Sequence, residues 1–492
     1  MIDRPFRDRK TRLTPGRPQV PGLIIQGENY VRKTKKTLIA GIAFLGMFAA
    51  ACSEDSGGDS ATQAPATEAS STEAPAGSEA PAGDLPVLQS TVDTALAYTG
   101  GPGGAASGDP IKIGYVNQEG GTPAFPEASV GADAGAWLIN NYLGGVGGRP
   151  IELVKCFVTK EEDGQSCAQQ FLADDGIQAV LVGAMFNGNA PLLDTLKDKK
   201  PVFLPNPVTT PEFLATDAYA FTPGSPGVVQ GLAVFAAKYV GELEGKDVKK
   251  VAVVYNDNPA GTVAFNALTK PILEQLGVEV TGVPVSDTAG ATEMATAIQS
   301  SGADKADVFY PLVTIQGCIG VYDALKTLGV DTPVVTTGLC FGIPMQDHLK
   351  SVGEAGKLPD GWYFGGYGYS YEIPGNPETD AYIDTALAWA KETGLENPEY
   401  TGFGGPTFGS LITMVKFMNG GAMDSAAIRD AAKGFTGPMW AGVGDFKCGG
   451  NPTFPSLCGF SIGIQQQQGT EYVSIMDGYN GKALNPIAEM AG

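Results

Sequence analysis

Twice along this chain, short apolar runs rich in β-branched residues alternate with helix-period patterns, and that alternation restricts the fold more than any other feature. The first series places strands at 111–116, 151–158, 179–184 and 201–205, with helices at 128–142 and 164–173. The second opens with a helix at 227–240 and continues with strands at 250–255, 278–283, 306–312 and 333–336. Helices at 262–276, 291–301 and 317–328 separate those strands. Strands apolar on both faces must be covered on both faces, so parallel sheets flanked by helices follow. Two series in tandem predict an α/β protein of two doubly wound lobes. A further strand at 362–366, helices at 379–393, 405–418 and 425–433, and short strands after Gly442 complete the pattern.

Upstream lies a different kind of sequence. Residues 38–51 carry no charge, follow Arg32, Lys33, Lys35 and Lys36, and end at Cys52. A basic start, a short apolar core and small residues before a cleavage point describe a secretory signal. Its fourteen uncharged residues fall short of the roughly 20 that span a bilayer as a helix. The cysteine that follows resembles a bacterial lipobox, although Ala49 stands where Leu is preferred. That resemblance implies lipidation at Cys52 and an extracytoplasmic protein anchored at the outer face of the cell membrane or in the periplasm. Residues 1–51 are then a lipoprotein signal, and the first 30 read as a mis-called start, with Val31 opening a leader of ordinary length. Residues 52–109 are acidic and rich in Ala, Pro, Gly, Ser and Thr, with no Lys or Arg. Such a stretch buries too little apolar surface to offset chain entropy, so a disordered tether is expected. Within it 85–98 is expected to be transiently helical, and folding begins near Ile111.

A formal net charge of −21 repels phosphate backbones, so nucleic acid is not an expected partner. No later stretch is apolar enough to span a bilayer, which leaves the lipid anchor as the membrane contact. Six cysteines follow Cys52, and an even number in an exported chain points to disulfides. The simplest connectivity pairs neighbours, Cys156–Cys167, Cys318–Cys340 and Cys448–Cys458, but sequence alone leaves it open. No CxxC occurs, and the sole histidine, His348, lacks a second ligand at metal spacing, so no metal or cofactor is expected.

One enzyme signature is present, the GxSxG of Gly459 to Gly463. It works only as a strand–turn–helix elbow with a later histidine as base. Here strand-like residues follow and no histidine does, so catalysis is not expected. A lipid-anchored serine hydrolase using Ser461 stands as the rival reading.

Open α/β sheets bind ligands in the crevice outside the carboxyl ends of their strands. The loops there are 117–121, 185–189, 206–211, 256–261, 313–317 and 337–341. They nominate Asn187, Gly188, Thr209, Thr210, Asn258, Thr314, Gln316 and Phe341 as ligand contacts. Asn, Asp and Thr are also favoured helix caps, so both roles stay open for each.

At these loops the chain resembles the solute-binding proteins of branched-chain amino acid ABC transporters, the leucine/isoleucine/valine type of type I periplasmic binding protein. Residues 111–114, 145–153, 201–213, 219–222, 250–257 and 434–440 carry the likeness, in the family's order. It implies three hinge crossovers, near 223–226, 369–374 and 437–441. One lobe would hold 110–223 with 375–438, the other 224–374 with 439–492. It also implies a monomer that closes on a small-molecule solute and delivers it to the transmembrane subunits of an ABC permease. A solute sensor without transport is the further alternative. Only the first cysteine pair falls where a disulfide is familiar in the family.

The family holds an amino acid's carboxylate with a Ser after the third strand and a Ser-Ala-Thr-x-Pro segment after the fourth. Asn187 and the segment Pro207-Val-Thr-Thr-Pro211 correspond, keeping Thr209 and Pro211. The ammonium partners, a Tyr and an acid, are matched by Ala260 and by the Thr337/Gly338 region. A buried ammonium without a charge or π partner is uncompensated. The expected solute is therefore neutral or carboxylate-bearing, such as an amide, a short-chain acid or an aromatic acid. Phe125, Phe186, Phe341 and Tyr367 would supply an apolar wall. Glu119 and Asp257, acids in the same loops, could receive an ammonium, which keeps amino-acid-like solutes in the set.

Overall fold

The computed structural model describes residues 86–491 apart from 121–122, 355–357, 369–374, 397, 445, 470 and 477–482. The leader, Cys52, the tether up to residue 85 and the expected crossover at 369–374 lie outside the described residues. Folding begins earlier than Ile111. Helix α1 (Gln89–Thr99) buries Thr91, Val92, Ala95 and Thr99 along one face, at the spacing of a helical stripe. Its start is held by Asp384, whose Oδ2 accepts from Leu88 N at 2.8 Å and Thr91 Oγ1 at 2.6 Å. At its end Lys416 lies 4.1 Å above the Tyr98 ring and donates to the Tyr98 carbonyl. The charges that fix α1 come from distant helices, which is why the local composition concealed it.

Strand β1 (Ile111–Gln118) pairs in parallel with β2 (Ile151–Val158), Ile111 opposite Ile151. With β3 (Ile177–Val182), β4 (Val202–Phe203) and β5 (Ala218–Tyr219) it forms a parallel sheet in the order β2-β1-β3-β4-β5. Side chains of β1 are buried on both faces because helices cover both. Helix α2 (Pro126–Asn141) and the helix Gly404–Asn419 pack on Ile111, Ile113 and Tyr115. Helices α3 (Glu161–Ala173) and α4 (Asn189–Leu196) pack on Val116, Val180 and Val182. Helix α2 approaches its neighbour closely: a Cβ on Gly131 would run into the Gly404 carbonyl.

Beyond the short helix α5 (Thr210–Leu214) and then β5, the chain enters the second lobe through α6 (Gly224–Lys238). There β6 (Lys250–Asn256), β7 (Glu279–Val285) and β8 (Val308–Leu312) form a parallel sheet in the order β7-β6-β8. A single bridge from Phe309 to Val334 leads on to β9 (Val335–Thr337) and β10 (Tyr363–Gly366). The antiparallel strands β11 (Gly463–Gln468) and β12 (Glu471–Met476) finish that edge. The helices Pro377–Thr393 and Gly404–Asn419 return to the core of the first lobe.

The third crossover differs from the expected place. Met439, Trp440, Ala441, Phe446 and Cys458 are buried in the first lobe, and Leu457 bridges Ala220 beside β5. Half-buried Phe454 packs on the cores of both lobes, and Ile462 is the first fully buried residue of this stretch in the second core. The described residues of 439–460 therefore belong chiefly with the first lobe, and the crossing falls at Ser461. Trp440 sets this, packed edge-on to Tyr98 at 5.4 Å and against Phe408 at 5.9 Å. All three neighbouring cysteine pairs form disulfides, Cys156–Cys167, Cys318–Cys340 and Cys448–Cys458. Among the described residues no helix is long and apolar enough to cross a membrane.

Candidate functional site

Side-chain amides knit the first lobe's loops together at the carboxyl ends of its strands. Asn117, fully buried, donates from Nδ2 to Glu119 Oε1 at 3.0 Å, the Phe125 carbonyl at 2.8 Å and Ser129 Oγ at 3.2 Å. Its Oδ1 accepts from Ala184 N at 2.9 Å. Gln118 Oε1 accepts from Phe186 N at 2.8 Å and Asn187 N at 3.0 Å. Asn206 Nδ2 donates to the carbonyls of Gly183 and Phe403 and to Thr407 Oγ1. Each amide meets several backbone groups that would otherwise be buried unpaired.

These bonds pin a set of rings. Phe125 packs 5.4 Å from Phe186 and 5.3 Å from Phe403, and Tyr367 stacks on Phe403 at 6.5 Å. Ala128, Ala184, Phe403, Phe125 and Val208 of the first lobe meet Leu339 and Tyr367 of the second. The lobes thus touch through an apolar cluster. Beside it is a cavity of about 30 Å³, lined by Glu127, Glu399, Thr401 and Gly402 on one side and Ile315, Gly338, Leu339, Gly342 and Pro344 on the other. A space of that size holds a water or two, so a solute enters only when the lobes part.

Two acids, Glu127 and Glu399, line this space. Burial pushes the Glu127 carboxyl up to about 8; Glu399 and Glu119 add to the rise, and backbone amides of Glu127 and Phe403 oppose it. Glu399 is also raised by burial. Glu212, fully buried, is pushed up to about 7 by burial against the bonds from Val208 and Thr209.

The nominated residues divide. Asn187 is half-buried at the loop after β3, with its N–H taken by Gln118. Gly188 instead packs its backbone on Gly164 of α3 and donates to Glu161 Oε2 at 2.7 Å, a helix contact that explains its positive φ of 78°. Thr209 caps α5: its Oγ1 donates to Glu212 Oε2 at 2.7 Å, and the same oxygen accepts from Thr209 N and Val208 N. Thr210 is exposed in the first turn. Asn258 caps its own helix through Gly261 N and donates to both oxygens of Asp287. Thr314 and Gln316 are exposed, while Ile315 between them lines the cavity. The Thr314 N–H is taken by Asn256 Oδ1 at 2.7 Å.

Phe341 is not part of the wall. It is 1% exposed, stacked on Phe364 at 4.1 Å inside the second lobe. Phe403 takes the place expected of it. That ring was missed because it sits between two helices, away from any strand end. The only signal was an aromatic residue among the glycines at 402–405. Asp257 is exposed.

The GxSxG segment runs into strand β11, and buried Ser461 sits at the lobe crossing. His348 Nε2 is engaged with Asp323 Oδ1 at 2.9 Å. The helical elbow that a serine nucleophile needs is not built here. Among the described residues no group of three or more His, Cys, Asp or Glu could hold a metal ion.

Two doubly wound lobes that meet over a ring-lined cleft define a class, the two-lobed binding proteins that take a ligand between their halves. The chain belongs to the periplasmic binding protein family, whose model matches residues 110–454. Members are extracytoplasmic solute-binding proteins. Comparison with curated proteins finds no match.

Solved structures share the fold. A leucine-binding protein of Thermotoga maritima superposes with a TM-score of 0.57 at 14% identity, covering 77% of this chain and 99% of that one. A fatty acid ABC transporter substrate-binding protein from Thermomonospora curvata gives 0.57 at 15%, covering 78% and 95%. A solute-binding protein of an ABC transporter from R. palustris, in complex with 4-hydroxybenzoate, gives 0.55 at 17%, covering 74% and 95%.

Proposed function

We propose that this protein is the lipid-anchored receptor of an ABC importer, capturing a small organic solute between its lobes. The observation that carries the reading is the cluster in which Phe125 and Phe403 of one lobe meet Leu339 and Tyr367 of the other. Such a surface is dry only when the lobes are together, so a solute seated there contacts both halves. Contacts made in both lobes favour the closed state, and only that difference in affinity shifts the equilibrium. The permease would read the closed form. Structures of this fold include a leucine-binding protein, a fatty acid ABC transporter substrate-binding protein and a solute-binding protein in complex with 4-hydroxybenzoate, so small organic solutes of several kinds suit the fold.

Residues 110–223, 375–460 and the helix α1 would form the anchored lobe, and the second lobe would swing. Cys52 would carry the lipid and 53–85 would act as the leash. A thermal-shift screen of a solute library on the intact chain tests the receptor reading. A solute that raises the melting temperature supports it, and a library without one counts against it. Labelled fatty acid incorporated by the parent, and lost in Cys52→Ala, tests the anchor.

A further inference from the structure

We propose that the solute is an organic cation without a carboxylate, an amine or quaternary ammonium on an aromatic or aliphatic body. This rests on the cleft being the solute site. It departs from the neutral or carboxylate-bearing solutes that the loop sequences suggest, for three reasons.

First, the donors that could hold a carboxylate are already filled from within. In the loop after β3, the N–H groups of Phe186 and Asn187 go to Gln118 Oε1, and that of Gly188 goes to Glu161 Oε2. In the loop after β4, Val208 N, Thr209 N and Thr209 Oγ1 all go to Glu212 Oε2. Two of these three acceptors are carboxylates of the protein itself. An incoming carboxylate would have to displace them or lie beside them unpaired, and a buried unpaired charge is strongly unfavourable.

Second, the charge that faces the cleft has one sign. Glu127 and Glu399 line the cavity, Glu119 adjoins them, and among the described residues neither the cavity lining nor the ring cluster contains a Lys, Arg or His. None of Glu119, Glu127 or Glu399 forms an ion pair among the described residues. Glu127 is only 7% exposed, so its carboxyl is a buried acid without a cationic partner. Glu212 Oε1, also buried, has no hydrogen-bond partner among the described residues, and the Glu212 charge reaches Tyr367 of the ring cluster. Both acids keep backbone hydrogen bonds, but among the described residues neither meets a positive charge, so a cationic solute would supply one.

Third, the rings beside the acids suit a cation. Phe125, Phe186, Phe403 and Tyr367 lie within one cluster. An ammonium within about 6 Å of a ring centroid is attracted by its face. Acids and aromatic faces together solvate a cation and reject an anion.

The test is calorimetry on the intact chain with four probes: phenethylamine, benzyltrimethylammonium, benzoate and leucine. The cations are expected to bind, and benzoate and leucine are not. The variant E127Q/E399Q should lose about tenfold or more in cation affinity. Affinity should also rise between about pH 6.5 and 8.5, because a cation favours ionised Glu127, which faces Glu399 and Glu119. Should that variant not fold, Phe186→Leu serves instead. Phe186 is 40% exposed, so its loss spares the core while weakening cation binding several-fold. Unchanged affinity in the folded variant overturns the proposal. Benzoate or leucine binding would overturn it too while leaving the receptor reading intact. Binding of no probe also overturns it, and the library screen then decides the receptor reading separately.

Discussion

Thr209 and Glu212 satisfy each other across the first turn of α5: the threonine hydroxyl donates to the carboxylate at 2.7 Å, and the backbone amides of Val208 and Thr209 converge on the same oxygen. A position that the family resemblance marks for ligand carboxylate is occupied by the protein's own. Removing the acid should open it. Glu212→Ala is expected to confer measurable benzoate binding on a protein that otherwise lacks it, read by calorimetry, at a cost in stability from the lost cap of about 1 kcal/mol. Thr209→Ala should show a similar loss of stability with little change in affinity for the native solute.

The buried acids make stability fall as pH rises. Glu127 titrates near 8 and Glu212 near 7 in the folded chain, both above the ordinary 4.5. Between those values the folded state binds more protons than the unfolded one. The stability contributed by these two acids is therefore fully present below about pH 4.5, declines through about pH 8, and levels off above. Glu127→Gln removes one of these titrations. Urea unfolding should find the variant gaining stability relative to the parent as pH rises from about 4.5 to about 8.5.

Trp440 ties the third crossing to the first lobe and is fully buried against Tyr98 and Phe408. Trp440→Ala should cost about 3–5 kcal/mol. Because α1 supplies one wall of that site, Tyr98→Ala should destabilise the same lobe, and deleting residues 86–105 should lower its melting temperature. A deletion without effect would mean that folding does begin near Ile111.

Parts of this were legible in the sequence for physical reasons. Ile111, Ile113, Tyr115 and Val116 are apolar on both strand faces, which demands helices on both sides, and the two lobes follow from that. The crevice loops were legible from their position after such strands. Whether Thr209 or Asn258 caps a helix or meets a ligand was not, because one chemistry serves both ends. Phe341 was misplaced because a ring just past a strand edge can turn into the core, and here it stacks on Phe364. Phe403 depends on Asn206 holding its carbonyl across nearly two hundred residues, a relation no local window contains. The third crossing depends on Trp440, whose burial depends in turn on α1.

Lobe closure on a solute is the central claim, and small-angle scattering of the intact chain measures it most directly. With the solute found by the screen, the radius of gyration is predicted to shrink at saturating concentration and to recover when the solute is dialysed away. A solute that binds tightly and leaves the radius unchanged would contradict capture between the lobes.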